Sequence, residues 1–532
     1  MPPRTVKLSV TVKGQLQKKY NAASLKEINE QVGRWIAADA RRGIRTVHVA
    51  VDDSKAMRAL RVRPVSGKAT ADKIKRAIDD LWKRLAPDYL VLFGGADIVP
   101  MFEVVNPSHD KEKGDDDENV PTDNPYACSL PFSSRKRRSY LVPDRVVGRI
   151  PDMMSDNEPA WFVAYLKTAT SWTSKPARSY NKKFAICCHP WKRAGLDCIQ
   201  YLAGSGRPAS RLFISPPTSD IWTSARKQLS ARLHMIKCHG SQLDARFYGQ
   251  KKKRYPEAIA SATLKPRLKP ATVAAAMCCY GAQIFSPADP AAIKPGEWPL
   301  ASTYLRKGAL GFVGSTRIAW VGDSEIRCAD WLVATYLKSV LGGASIGRAF
   351  LESKQDYVRW INQQGHAIDL MDEKTLIEYV LLGDPSIQPV QSVLHPEKAL
   401  SLQERRQRRV ARVHMAAQIR ELLPVRSRAT PAASAMAKKV FNKATSSSAK
   451  GFITGPKEFR TKPAAARVEK LNTVLPVPSA ARKHPGFIRS RQSLQYYWSE
   501  RHVRDGHKQI RLLKAETDQE GNLWRTSVIH SS

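Results

Sequence analysis

A histidine and a cysteine, each closely followed by a glycine, stand at the ends of two short apolar runs in this 532-residue chain. The first run, Leu233-His234-Met235-Ile236, leads into Lys237-Cys238-His239-Gly240. The second, from Ala271 to Met277, ends in Cys278-Cys279-Tyr280-Gly281. Apolar runs of this length read as buried parallel strands, and in open α/β sheets chemistry gathers where strands end at their carboxyl edge. An imidazole and a thiol at two neighbouring edges can form a base and its nucleophile. The glycines would let a substrate backbone come close. A lone buried histidine or a lone Cys-x-Gly is more often structural; the coincidence of the two, in this order, favours chemistry.

The elements that must position them follow an α/β rhythm. Residues 6–12 and 46–51 alternate or run apolar as strands, with a helix between them for which Ser24 is a candidate cap. A helix over 71–85, capped by Thr70, precedes a third strand over 88–95. This order argues for a parallel sheet with helices on its faces. The acidic stretch Asp115-Asp116-Asp117-Glu118 lacks the ligand spacing of a calcium loop and reads as a solvated loop, and Arg135-Lys136-Arg137-Arg138 as an exposed turn. A helix over 160–172 opens a second α/β unit. Its strands are expected at 184–188, 211–215, 233–236, 271–277, 308–316 and 379–386, with helices near 197–203, 219–230 and 323–341 and another after Ser345.

Composition bounds the partners. The 42% hydrophobic content fits a globular protein, and no apolar run approaches the roughly 20 residues that span a bilayer. The eight cysteines include no C-x-x-C pair, so neither structural zinc nor another metal site is expected, and no cofactor. Together with a start lacking an apolar leader, they place the chain in the cytoplasm. The net charge of +39 would suit nucleic acid or an acidic protein partner. It is steepest after residue 395, where 28 Lys and Arg stand against 10 Asp and Glu. Within that tail, 399–423 reads as a basic helix, 424–485 as a flexible Ala/Pro/Ser/Lys linker, and 486–532 as a small β element.

The chain resembles the gingipain-like (C25) cysteine peptidases of the caspase-type clan. The resemblance is carried by Leu90–Pro100 with its Gly-Gly-Ala-Asp-Ile-Val-Pro, Asp123 to Tyr126, Pro143–Pro151 with Val-Gly-Arg, Cys238-His239-Gly240-Ser241, Cys279-Tyr280-Gly281, Ala309–Thr316 and Leu382-Gly383-Asp384-Pro385-Ser386. It implies two side-by-side caspase-like α/β subdomains with mainly parallel sheets, a non-catalytic one over 1–155 and a catalytic one over 156–394, with the tail outside. Carried over by motif, His239 is the base and Cys279 the nucleophile. Cys279 rather than Cys278 fits Cys-x-Gly, and alternation along a strand turns the two side chains opposite ways. The Gly240 and Cys279 N–H groups are the expected oxyanion donors. Asp197 stands where relatives that cut after arginine keep an acid, and would meet a basic residue before the scissile bond; Asp197 as an ordinary helix N-terminal acid is the alternative. Arg135–Arg138 would then be a self-cleavage site. No acid assisting the histidine follows Cys188, where His189-Pro190-Trp191 stands. A silent caspase-like scaffold and a nucleic-acid-binding protein are the competing readings.

Overall fold

The structure is a computed structural model that describes residues 5–112, 114–204, 211–220, 226–392, 401–446, 466–475, 489–504 and 507–531. Its strands, in chain order, are β1 (Thr5–Thr11), β2 (Ile44–Ala50), β3 (Tyr89–Phe93), β4 (Phe102–Val105), β5 (Asn119–Thr122) and β6 (Val146–Ile150) in the first part. The second part holds β7 (Lys183–Cys188), β8 (Leu212–Ser215), β9 (Leu233–Lys237), β10 (His239–Gly240), β11 (Arg246–Tyr248), β12 (Glu257–Ala260), β13 (Val273–Ala276), β14 (Gly311–Ser315), β15 (Trp320–Gly322) and β16 (Tyr379–Leu382). The tail adds β17 (Val425–Arg428), β18 (Arg467–Leu475), β19 (Arg489–Arg504), β20 (His507–Thr517) and β21 (Leu523–Ser531).

The two α/β subdomains lie edge to edge and share one ten-stranded sheet, ordered β2-β1-β3-β6-β16-β14-β13-β9-β7-β8. Every neighbouring pair in it is parallel except β14 with β16. Because β16 pairs parallel with β6 and antiparallel with β14, the strands of the two halves run in opposite senses. The carboxyl edge that carries His239 and Cys279 therefore belongs to the second half alone.

Local signals account for the helices. Thr70 caps Ala71–Leu85 by accepting from the Lys73 N–H, and Ser345 caps Ile346–Gln363 in the same way. Ser24 is not a cap: Asn21, three residues earlier, accepts the Ser24 N–H, and the helix runs Ala22–Arg41. The helix expected from 323 starts at Ala329, because the residues before it form β15 and its loop. The helix expected over 219–230 lies partly outside the described residues.

The motifs that carry the resemblance meet at buried polar knots. Arg149, last of Val-Gly-Arg, forks onto Asp123 at 2.6 and 2.9 Å and donates to the carbonyls of Gly94 and Val99 at 2.7 and 2.8 Å. Lys7 of β1 reaches Asp384 at 2.5 Å and Asp39 at 2.6 Å, and the Trp35 indole N–H also donates to Asp384. Each buried charge is thus paired, as burial requires.

Expectations for the acidic loop and the tail are corrected. The acidic loop is only partly solvated: Asp116 and Glu118 are exposed, but Asp115 is fully buried and pairs with Lys374. The basic run is the exposed turn expected, with Arg135, Lys136 and Arg138 exposed; Arg137 pairs with Glu373 at 2.9 Å, and Arg138 also donates to the Leu423 carbonyl of the tail. The tail itself is built onto the body. A helix, Leu402–Glu421, lies against the first half through Arg409 on the Trp82 carbonyl, Arg412 beside Asp88, and Arg420 on Asp144. The segment read as a linker carries β17, two helices (Pro431–Ala435 and Ala437–Ser446) and β18. The β element is larger than expected, a six-stranded sheet ordered β15-β21-β20-β19-β18-β17 that borrows β15 from the second half. A core of its own, including Val440, Phe441, Tyr496, Trp498 and Leu513, explains why this polar-looking stretch folds.

Arg149→Met should leave the Asp123 carboxylate buried and two carbonyls unmet, lowering stability by about 3–5 kcal/mol, the usual result of breaking a buried pair. The fall in urea midpoint measures it, and adding Asp123→Asn should recover part of the loss.

Candidate active site

β9 and β13 are neighbours in parallel register, with Ile236 opposite Ala276. Both are buried throughout, and the three alanines of β13 lie under the helix Ala329–Leu341. Continuing that register three residues past each strand brings His239 level with Cys279. The backbones touch at this point: a Cβ added to Gly240 would overlap the Cys279 carbonyl oxygen and lie 3.0 Å from its carbonyl carbon. Only glycine permits this approach, and it is what joins the two motifs in space.

Cys278 and Cys279 part as strand alternation requires. The Cys278 thiol points to the Ile236 carbonyl inside the sheet, at 3.8 Å. The Cys279 sulfur lies at the carboxyl edge, accepting from the Ala319 N–H at 3.3 Å and facing the Ala319 carbonyl at 3.8 Å. Cys279 is 4% exposed, and burial pushes its thiol up to about 12, with Lys374 pulling the other way. A sulfur so buried is held as the protonated thiol at neutral pH.

The imidazole of His239 is held on three sides. Trp191 packs against it with ring centroids 4.6 Å apart, Tyr255 stands edge-on at 5.5 Å, and Nε2 bonds to Gln250 Oε1 at 2.8 Å. With an amide oxygen as acceptor, Nε2 carries the proton and Nδ1 is the basic nitrogen. Gln250 is itself fixed, its N–H donating to the Ser215 carbonyl and its carbonyl accepting from the His189 N–H, both at 3.1 Å. The site acid sought after Cys188 is thus replaced by an amide that arrives from the loop after β11, while Trp191 supplies the stacking surface.

Walls of the turn at Cys279 come from far away in the chain. Asp117 accepts from the Tyr280 hydroxyl and from the Ile318 N–H, each at 3.0 Å, clamping the residues beside Cys279 and Ala319. Lys237 reaches the Gly322 carbonyl at 2.9 Å and pairs with Asp330, tying the histidine strand to β15. Beyond the turn opens a cavity of about 490 Å³ lined by Gly95, Glu103, Arg149, Gln283, Phe285 and Arg317, among others.

Asp197 is not brought into this constellation. It lies in the second turn of the helix Lys192–Ala203, on the exposed face, near Arg193. Nor is it a helix N-terminal acid, since the helix begins five residues earlier. Among the described residues no group of three or more His, Cys, Asp or Glu is placed to hold a metal ion.

The fold is a mainly parallel α/β sheet covered by helices, with Cys279 and His239 following adjoining strands at one carboxyl edge. The model of peptidase family C25 matches residues 17–159 and 253–390, just over half of the chain, and the protein belongs to that family. Cys279 falls within the matched residues and His239 between the two segments. No curated protein matches the chain. One solved chain, described as "Structure of Protease", aligns over 99% of this chain and 91% of its own length, at 12% identity and a TM-score of 0.49.

Two outcomes check the geometry. Gly240→Ala should abolish the approach of the two motifs and with it alkylation or turnover at Cys279, read by mass spectrometry of the labelled peptide. In the unaltered protein the rate of Cys279 alkylation should climb about tenfold per pH unit from 7 to 10 without levelling, as only the thiolate reacts and the thiol's pKa is raised.

Proposed function

We propose that the protein is a cysteine endopeptidase working through His239 and Cys279. The contact of Gly240 with the Cys279 carbonyl carries this reading, because it fixes an imidazole-bearing backbone beside a thiol-bearing one. In the reaction His239 Nδ1 takes the Sγ proton as sulfur attacks the scissile carbonyl. The N–H groups of Gly240 and Cys279 receive the developing oxyanion. The imidazolium then returns its proton to the leaving amine, and water, deprotonated by the same nitrogen, releases the acid product from sulfur. Gln250 acts through the histidine by holding the Nε2–H tautomer.

Two further parts of the reading differ in support. A basic residue before the scissile bond, met by Asp197, is the weaker part, since Asp197 lies on an exposed helix face. The Asp197→Asn variant tests it: an unchanged ratio of Arg and Lys to Ala substrates removes Asp197 as the partner of such a residue and leaves the peptidase reading intact. Eight unpaired, buried cysteines support a reducing compartment such as the cytoplasm. The tail is not put forward as a nucleic-acid site, since Arg409, Arg412, Arg420 and Arg426 turn inward to the protein's own carbonyls and carboxylates.

Cys279→Ala and His239→Ala should each reduce turnover of a casein or peptide-library substrate by about 10³-fold or more, the scale of losing a covalent-catalysis partner. New protein termini, identified by N-terminal proteomics, should appear with the active protein and not with Cys279→Ala. Gln250→Ala should lower kcat by about 10–100-fold and shift its acid limb, because a misplaced base costs that much, with little change in KM.

A further inference from the structure

β15 starts one residue after Ala319, the residue whose N–H and carbonyl face the Cys279 sulfur. A strand lying antiparallel on β15 is therefore aimed at the thiol. That place is taken. β21 pairs antiparallel there, with Ile529 opposite Gly322, His530 opposite Val321 and Ser531 opposite Trp320. Read from N to C, β21 advances toward Cys279, the direction in which an extended polypeptide must run to offer sulfur the carbonyl at its leading end. Main-chain pairing of an extended peptide on a free strand edge is a common mode of peptide recognition.

The sheet behind β21 closes the rest of the approach. Tyr497, Ile510, Leu512 and Ile529 share one apolar cluster with Cys279, Ile318 and Trp320, and both Cys279 and His239 are only 4% exposed. On the histidine side, Gln509 of β20 bonds to Gln250 at 3.3 Å and to the Tyr255 hydroxyl at 3.2 Å, two residues that hold the imidazole. The His530 ring lies 6.5 Å from Trp191, the ring that packs on His239. Polar anchors at the perimeter are Lys514 on Asp369 at 2.8 Å, Arg525 on Glu325 at 3.2 Å and Ser499 on Asp110 at 2.7 Å. The strands β17 to β21 all follow residue 390, where the match to the peptidase family stops.

We propose that β21, backed by β17–β20, is a resident pseudosubstrate: it holds the enzyme shut by occupying β15, and an extended polypeptide substrate replaces it there. The inference rests on the peptidase reading and adds its regulation. The buried, protonated thiol is the state this covering would produce. Activation then consists of lifting the sheet from β15, which uncovers the sulfur and frees the Gln250–Gln509 contact in one movement.

The test uses the full chain and a peptidyl acyloxymethyl ketone as probe, with Cys279→Ala as the blank. Gln509→Ala combined with Ile529→Ala loosens the seat, and should raise the rate of Cys279 labelling at least tenfold. Equal or slower labelling, with the thermal transition of the body unchanged, overturns the inference. Hydrogen exchange on the unaltered protein gives an answer even if that variant does not fold. Once Cys279 is fully labelled, amides over 526–531 should lose at least tenfold protection while those over 320–322 keep theirs, because the peptide of the probe takes the place of β21. Undiminished protection over 526–531 in the labelled protein also overturns it. Absence of labelling in every form, the probe being active on a control protease, removes the peptidase reading and this inference with it; labelling at equal rates removes this inference alone.

Discussion

The site depends on one backbone contact, the Cα of Gly240 seated against the carbonyl of Cys279. Two loops that follow neighbouring parallel strands would otherwise diverge, since each side chain adds width at the carboxyl edge. Removing one side chain lets the loops close, and the register of β9 with β13 then sets His239 beside Cys279. Everything else near the site braces that closure. Lys237 ties the histidine strand to Gly322, Asp117 pins the residues on either side of the sulfur, and Gln250 stops the ring from turning. None of these braces needs to touch a substrate.

The halves are held together through buried polar knots. Arg149, Lys7 and Lys374 each carry a full positive charge into the interior and each is met by carboxylates. Such groups cost more to bury than apolar side chains of the same size, and they tolerate only one set of partners. Arg149 joins the loop after β3, the Asp123 turn and β6; Lys7 joins β1 to the loop after β16. These contacts fix how the halves meet at the β6–β16 junction, where a single register pair is made.

Much of the second half was legible in the sequence because its signals are local: short apolar runs, a capping serine before Ile346, a glycine after the histidine. That Cys278 and Cys279 face opposite ways followed from alternation, and the Cys-x-Gly pattern of the resemblance picked Cys279. What was not legible depends on partners distant in sequence. Gln250 looks like any loop glutamine until the loops after β7 and β8 take its backbone. The acidic loop reads as solvated until Lys374 is folded onto Asp115. Arginines of the tail read as an invitation to polyanions, yet several of them serve as internal donors. β15 is three residues long and carries no strand signal of its own; it becomes a strand because β21, two hundred residues later, pairs with it.

The loop from Asp110 to Asp117 touches two machines at once. At one end Asp117 grips the turn that bears the sulfur; at the other, Asp110 and the Gly114 carbonyl receive Ser499 and Arg501 of β19. It belongs to the half that holds neither Cys279 nor His239, yet it is the abutment on which both the Cys279 turn and the covering sheet bear. A force applied to the tail is consequently transmitted to the sulfur through the other half of the molecule. The two halves thus form a single mechanical body, and cutting the protein down to the half that holds Cys279 and His239 would take away the wall on which the Cys279 turn leans.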